Sequence, residues 1–149
     1  MIFEVSIGEF KKNCRILKNK LKSGDWRWNY VYPIPKNGSL VAYEMNLGLP
    51  IIYDPELIDD HTLVIDDIVD SGETIKKMKI NLNQIAVLYN KSDLKIPYTV
   101  EHIKNMWIKF FWEKENDIDD CIIRSLEFAG MSPADSTVRF VRNMLEGMR

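Results

Sequence analysis

Leu63–Thr74 reads LVIDDIVDSGET, and this run limits what the chain can fold into more than any other stretch. It opens with consecutive apolar residues, the pattern of a parallel strand covered on both faces. The apolar run stops at two adjacent carboxylates, Asp66 and Asp67. A short loop over Ile68–Gly72 then feeds a helix expected from Gly72 or Thr74 to about Ile80. Open α/β sheets bind ligands beyond the carboxyl ends of their strands. Gly72 lets backbone amides approach a ligand closely, and a helix start offers free amides and a positive dipole end. Ser71 and Thr74 add hydroxyl donors. One place therefore offers acceptors for sugar hydroxyls and, about one sugar away, donors for a phosphate, as a ribose 5-phosphate requires. The bland alternative is an acidic turn between a buried strand and a helix.

Helical and strand-like periods alternate around this run. Glu9–Leu21 places Phe10, Cys14, Leu17 and Leu21 on one helical stripe, with lysines elsewhere. Trp28–Ile34 (WNYVYPI) reads as a buried strand entering a turn over Pro35–Ser39. Leu40–Leu47 reads as a short helix with Gly48 suited to its C-terminal cap, and Pro50–Tyr53 as a short strand. Thr62–Asp66, Ile85–Tyr89 and Met106–Trp112 complete the strand-like runs. Strands alternating with helices imply an α/β fold, a mostly parallel sheet flanked by helices.

The composition changes after Glu115. Asn116 suits a helix cap, and Asp117, Asp119 and Asp120 suit the positive end of a helix dipole. Gly130 ends that helix, and Ser132-Pro133-Ala134-Asp135 reads as the start of another. The expected division is an α/β domain over residues 1–115 and a C-terminal helical hairpin over 116–149.

Bulk properties exclude some functions. A net charge of −2 argues against a general nucleic-acid binder, which needs a basic surface to replace counterions. No GxxxxGK[ST] exists, which removes Walker-type nucleotide binding. Cys14 and Cys121 sit in helical patterns with no zinc spacing, so buried free thiols are expected. The N-terminus lacks a signal peptide's apolar core, and no apolar run approaches the roughly 20 residues that span a bilayer. A soluble, cytoplasmic protein with no membrane partner is the expectation.

The Leu63–Thr74 segment resembles the phosphoribosyl-pyrophosphate motif of type I phosphoribosyltransferases: apolar residues, two acids, then an acid or apolar position, Thr or Ser, Gly, any residue and Thr. Its companions are most similar to the bacterial xanthine–guanine branch. Ile34–Ser39 sits where that family has its pyrophosphate loop, with Lys36 in the basic position and Asn37 in place of a usual glycine before Gly38. Asparagine tolerates the unusual backbone angles a glycine would take. Lys91 follows the IAVLY strand as the family's purine-contacting lysine does. MWIKFFWE (Met106–Glu113) resembles its base-recognition segment. The likeness covers about Ile7–Glu113.

The resemblance implies a purine phosphoribosyltransferase, moving the phosphoribosyl group of phosphoribosyl pyrophosphate to guanine, xanthine or hypoxanthine and releasing pyrophosphate. It implies Asp66 and Asp67 on the ribose hydroxyls and Mg²⁺, and Ser71, Gly72, Glu73 and Thr74 around the 5-phosphate. It implies Lys36, Asn37 and Gly38 at the pyrophosphate, and Asp70 as general base. Lys91, Trp107, Ile108 and Glu113 would meet the base. A homodimer is usual in the family.

One departure favours a different function. The family's lid is a long polar hairpin before the acidic motif, and here Tyr53–His61 is too short to form it. Lids desolvate charges and protect the reacting sugar. The alternative is thus a non-catalytic sensor that binds phosphoribosyl pyrophosphate or a nucleotide. The C-terminal hairpin is a candidate cover. It also faintly resembles the N-terminal hairpin of GTP cyclohydrolase I, through LEFAG and DSTVRFV, but the zinc-binding catalytic region of that enzyme is absent and no activity carries over.

Overall fold

The computed structural model describes residues 2–113; the expected helical hairpin, Cys121 and the boundary near residue 115 lie outside them. Strands β2 (Tyr30–Pro33), β3 (Thr62–Val69), β4 (Ile85–Asn90) and β5 (Tyr98–His102) form one sheet in the order β2-β3-β4-β5, every pair parallel. A second, two-stranded parallel sheet joins β1 (Ile2–Val5) to β6 (Trp107–Phe110). Helices α1 (Ile7–Ser23), α2 (Gly38–Met45) and α3 (Glu73–Met78) supply the crossovers. The expected parallel α/β architecture is what the chain adopts.

Alternation along β3 sorts the core into two faces. Leu63 and Ile65 join Leu17 and Leu21 of α1 and Val41 and Met45 of α2. Val64 faces the other way and packs with Ile75 of α3, Ile85 and Val87. Each fully buried aliphatic side chain contributes about 1.5–3 kcal/mol, so the Leu63–Ile65 stretch anchors the sheet. Ser6 caps α1, its Oγ accepting from the Glu9 amide at 3.2 Å. Cys14 lies buried on the apolar stripe of α1, as expected of a free thiol, and burial pushes that thiol up to about 12. Tyr89 is fully buried, and its hydroxyl accepts from Asn13 Nδ2 at 2.7 Å.

Several boundaries differ from the sequence expectation. The central strand does not stop at the two acids; it continues to Val69, so Asp66, Asp67 and Ile68 are strand residues. The reason is β4, whose Tyr89 and Asn90 pair with Ile68 and Val69. Helix α2 starts at Gly38, not Leu40, and Asn46 at φ 46° is its C-cap instead of Gly48. Pro50–Tyr53 is no strand: Ile51 forms an isolated bridge to Val31. Helix α3 ends at Met78, with Lys79 at φ 53°. β1 and β5 escaped the sequence reading because each is short and largely exposed or half-buried.

Gly38 shows how tightly α2 docks. A Cβ there would lie 2.5 Å from the Ile65 carbonyl oxygen. Gly38→Ala is therefore expected to cost about 1–3 kcal/mol, measured as a lower denaturation midpoint with an unchanged m-value.

Candidate functional site

In a parallel sheet all carboxyl ends share one edge, so the segments after β2, β3 and β4 gather there. β2 stops opposite Ile65, while β3 runs on to Val69. Among the described residues, the extension of β3 therefore has β4 on one side and no strand on the other. Within it, Asp66 accepts the Asp67 amide at 2.9 Å, and Asp67 Oδ1 accepts the Ile68 amide at 2.8 Å. Asp66 is half-buried and Asp67 is buried. Burial and the adjoining Asp67 carboxylate push Asp66 well above the usual carboxylate range, against a smaller opposing pull from the Asp67 amide.

After Val69 come Asp70, Ser71 and Gly72. Gly72 takes φ 86°, and a Cβ there would fall 2.6 Å from Leu94 Cδ1. The positive φ favours glycine, and a side chain there would also displace the Leu94 methyl. The wall it meets is built by Asn90, whose Oδ1 accepts from the Ser92 amide at 2.9 Å and from Ser92 Oγ at 2.6 Å, and whose Nδ2 donates to the Leu94 carbonyl at 2.8 Å. The sequence reading missed this loop, although Asn at a strand end with Ser two residues on is a turn signal. Ser71 Oγ accepts from the Glu73 amide at 3.3 Å. The amides of Ser71, Gly72, Thr74 and Ile75 take no partner among the described residues. Free backbone amides of this kind can donate to an anion, without help from the dipole of so short a helix.

The loop after β2 is fastened at both ends. Ile34 donates its amide to the Ile65 carbonyl at 2.8 Å, and Gly38 donates to Ile34 at 3.0 Å. The Pro35–Lys36 peptide is cis. The amides of Lys36, Asn37 and Ser39 are without partners among the described residues, and the Lys36 side chain is exposed. Asn37 sits at φ −98°, ψ −8°, so it does not use the tolerance for unusual angles expected of it.

The remaining site residues divide. Asp70, Lys91 and Trp107 meet: Lys91 Nζ lies 3.4 Å from Asp70 Oδ1 and 5.1 Å from the centroid of the Trp107 ring. The Lys91 amide donates to the Val69 carbonyl at 2.8 Å, which fixes where its side chain begins. Ile108 is buried, in register with Phe3, and among the described residues β6 has a strand on one side only. Glu113 stands at the other end of β6, where its Oε2 accepts from the Phe110 amide at 3.1 Å. Glu73 is exposed, 3.6 Å from Lys76. Thr74 lines a separate hollow of about 460 Å³ with Glu56, Ile58 and Lys77. No group of three or more metal-ligating side chains occurs among the described residues, and no helix among them is long and apolar enough to cross a membrane.

No family model matches the sequence, and none of the curated proteins matches it. Solved structures do match in three dimensions. One is xanthine-guanine-hypoxanthine phosphoribosyltransferase of Helicobacter pylori, with a TM-score of 0.63 and 20% identity over 84% of this chain and 98% of that one. Another is a hypothetical protein from Neisseria gonorrhoeae with bound ppGpp, at 0.60 and 20% over 88% and 99%. A third is a purine phosphoribosyltransferase of Pyrococcus horikoshii, at 0.57 and 17% over 76% and 95%. The chain thus shares, at a distance, the type I phosphoribosyltransferase fold.

The Asp66 carboxyl generates a prediction about stability. Its proton is held to higher pH in the folded chain than in the unfolded one, so folding binds a proton. Stability then falls as pH rises from the ordinary carboxylate range, about 4, toward the folded value. Asp66→Asn escapes that loss. The variant is expected to melt above the parent near pH 7, with the gap closing below about pH 4, as thermal unfolding across pH will measure.

Proposed function

We propose that this chain is a binding protein for phosphoribosyl pyrophosphate or a nucleotide, built on the type I phosphoribosyltransferase fold, with little or no group transfer of its own. The observation that carries the reading is an acidic strand end beside free backbone amides with no hairpin over residues 53–61. Asp66, Asp67 and the free amides around Gly72 supply acceptors and donors at the right edge of the sheet. Over them, residues 53–61 form only a connector containing a 3₁₀ turn, Pro55–Leu57, where the enzymes of the resembled family close a hairpin. The Asp70 side chain is 70% exposed, so water is not excluded from it. The ppGpp-bound Neisseria protein, similar across most of both chains, supports nucleotide binding as a use of this architecture.

In this reading Ser71–Thr74 hold the 5-phosphate, Asp66 and Asp67 the ribose hydroxyls, and Lys36, Asn37 and Gly38 the pyrophosphate or further phosphates. Trp107 and Ile108 receive the base and Lys91 its exocyclic oxygen, while Glu113, bonded to the Phe110 amide at the other end of β6, takes no part. Mg²⁺ fits the donor set: it keeps most of its waters and needs one or two carboxylates plus ligand phosphates, and Asp66 and Asp67 are two adjacent carboxylates. When bound it would neutralise phosphate charge.

The second reading is a purine phosphoribosyltransferase. The Asp70–Lys91 distance of 3.4 Å favours it, since simple binding requires no carboxylate there. The two purine phosphoribosyltransferases among the similar structures support it. Titration with phosphoribosyl pyrophosphate and with GMP, each with Mg²⁺, followed by a pyrophosphate-release assay against a panel of bases, separates the two. The binding protein is expected to take up ligand and release no pyrophosphate in response to any base. Base-dependent release that falls by about 10²–10⁴ in Asp70→Asn would establish the transferase instead.

A further inference from the structure

The face of Trp107 is covered from within the chain. Three segments that are distant in sequence meet there: Asp70 after β3, Lys91 after β4 and Trp107 at the start of β6. The Lys91 ammonium stands over the indole at 5.1 Å from its centroid while lying 3.4 Å from Asp70 Oδ1. The Lys91 side chain is only 15% exposed, so the cation has left much of its water behind. Desolvation strengthens a cation–π contact. Trp107 Nε1 is buried without a hydrogen-bond partner among the described residues, so the lysine contact is the ring's one polar interaction among them. The Lys91 amide is fixed to the Val69 carbonyl, which sets where the lysine stem begins.

We infer that Lys91 is a built-in competitor for the aromatic face of Trp107, and that Asp70, Lys91 and Trp107 form a latch that shuts the base subsite. The inference rests on the nucleotide-binding reading above and adds how that site is regulated. A ligand opens the latch by supplying two things together: a planar ring to replace the ammonium on the indole, and an acceptor atom to take the ammonium from Asp70. Ribose 5-phosphate has no ring of that kind, so it fills the loop around Gly72 and leaves the latch shut. A purine nucleotide with a carbonyl oxygen on its base supplies both. Asp70 is released only when the base arrives, which orders the site: phosphate end first, base second. The closed form also lowers apparent affinity in proportion to its population.

Ring currents give a direct readout. In protein carrying ¹³C-labelled lysine, the Lys91 ε-methylene signals, assigned by their loss in Lys91→Met, are expected upfield of the other lysines. Saturating ribose 5-phosphate should shift the Gly72 amide and leave them there. Saturating GMP should shift the same amide and return them to the ordinary lysine position. Asp70→Asn, at an exposed site outside the core, should move them part of the way back with no ligand added. The latch is overturned by ordinary Lys91 signals in the protein alone. It is equally overturned if ribose 5-phosphate displaces them as far as GMP does, or if they stay upfield when GMP saturates the Gly72 amide. Failure of both ligands to shift that amide would refute nucleotide binding itself, and the comparison with Asp70→Asn would then decide the latch on the protein alone.

Discussion

The parallel ladder that holds Thr62–Val69 between β2 and β4 carries the rest of the structure. Leu63, Val64 and Ile65 are wholly excluded from solvent, each contributing about 1.5–3 kcal/mol. The next two residues are carboxylates, and partial burial of a charge costs several kcal/mol unless it is paired or protonated. The strand tolerates them because backbone amides bond to both, and because Asp66 holds its proton more tightly than an ordinary carboxyl. Had β2 continued alongside, Asp66 and Asp67 would lie within a paired strand and not at an open edge. The early end of β2 makes them available to a ligand.

From that edge the other parts follow by geometry. Gly38 brings the β2–α2 loop against the Ile65 carbonyl, and Gly72 brings the β3–α3 loop against Leu94. At Gly38 a side chain would strike backbone and at Gly72 the φ is positive, so two sets of amides without partners among the described residues are held close to one strand end. The Lys91 amide then ties the end of β4 to Val69. Residues 53–61 give these loops no hairpin cover, and Asp70 is exposed. Binding requires donors and acceptors at fixed places; transfer further requires excluded water and a poised base. The arrangement meets the first requirement more fully than the second.

Much of this was legible in the sequence. The apolar run at Leu63 read correctly as a buried strand and Gly72 as part of the turn into a helix, because burial and backbone freedom are local properties of residue type. The stripe of α1 and the strand at Ile85 read as well, for the same reason of periodicity. The failures share a different cause. β1 and β5 are short and only partly buried, so neither apolar alternation nor length marks them. Pro50–Tyr53 has strand-like composition, yet it finds a single bridge. Composition proposes a strand; a partner of matching register makes one.

By itself, then, the sequence determined a parallel α/β chain whose acidic strand end could face a phosphorylated sugar. Only the tertiary structure decided where the strand stops, since β4 extends Thr62–Val69 three residues past Asp66 while β2 does not. It alone put Asp70, Lys91 and Trp107 in one place and left Glu113 at the far end of β6. The physical reason is range. Burial patterns, glycine freedom and turn signals are encoded within a few residues, whereas an ion pair or a cation over a ring depends on which strands lie side by side.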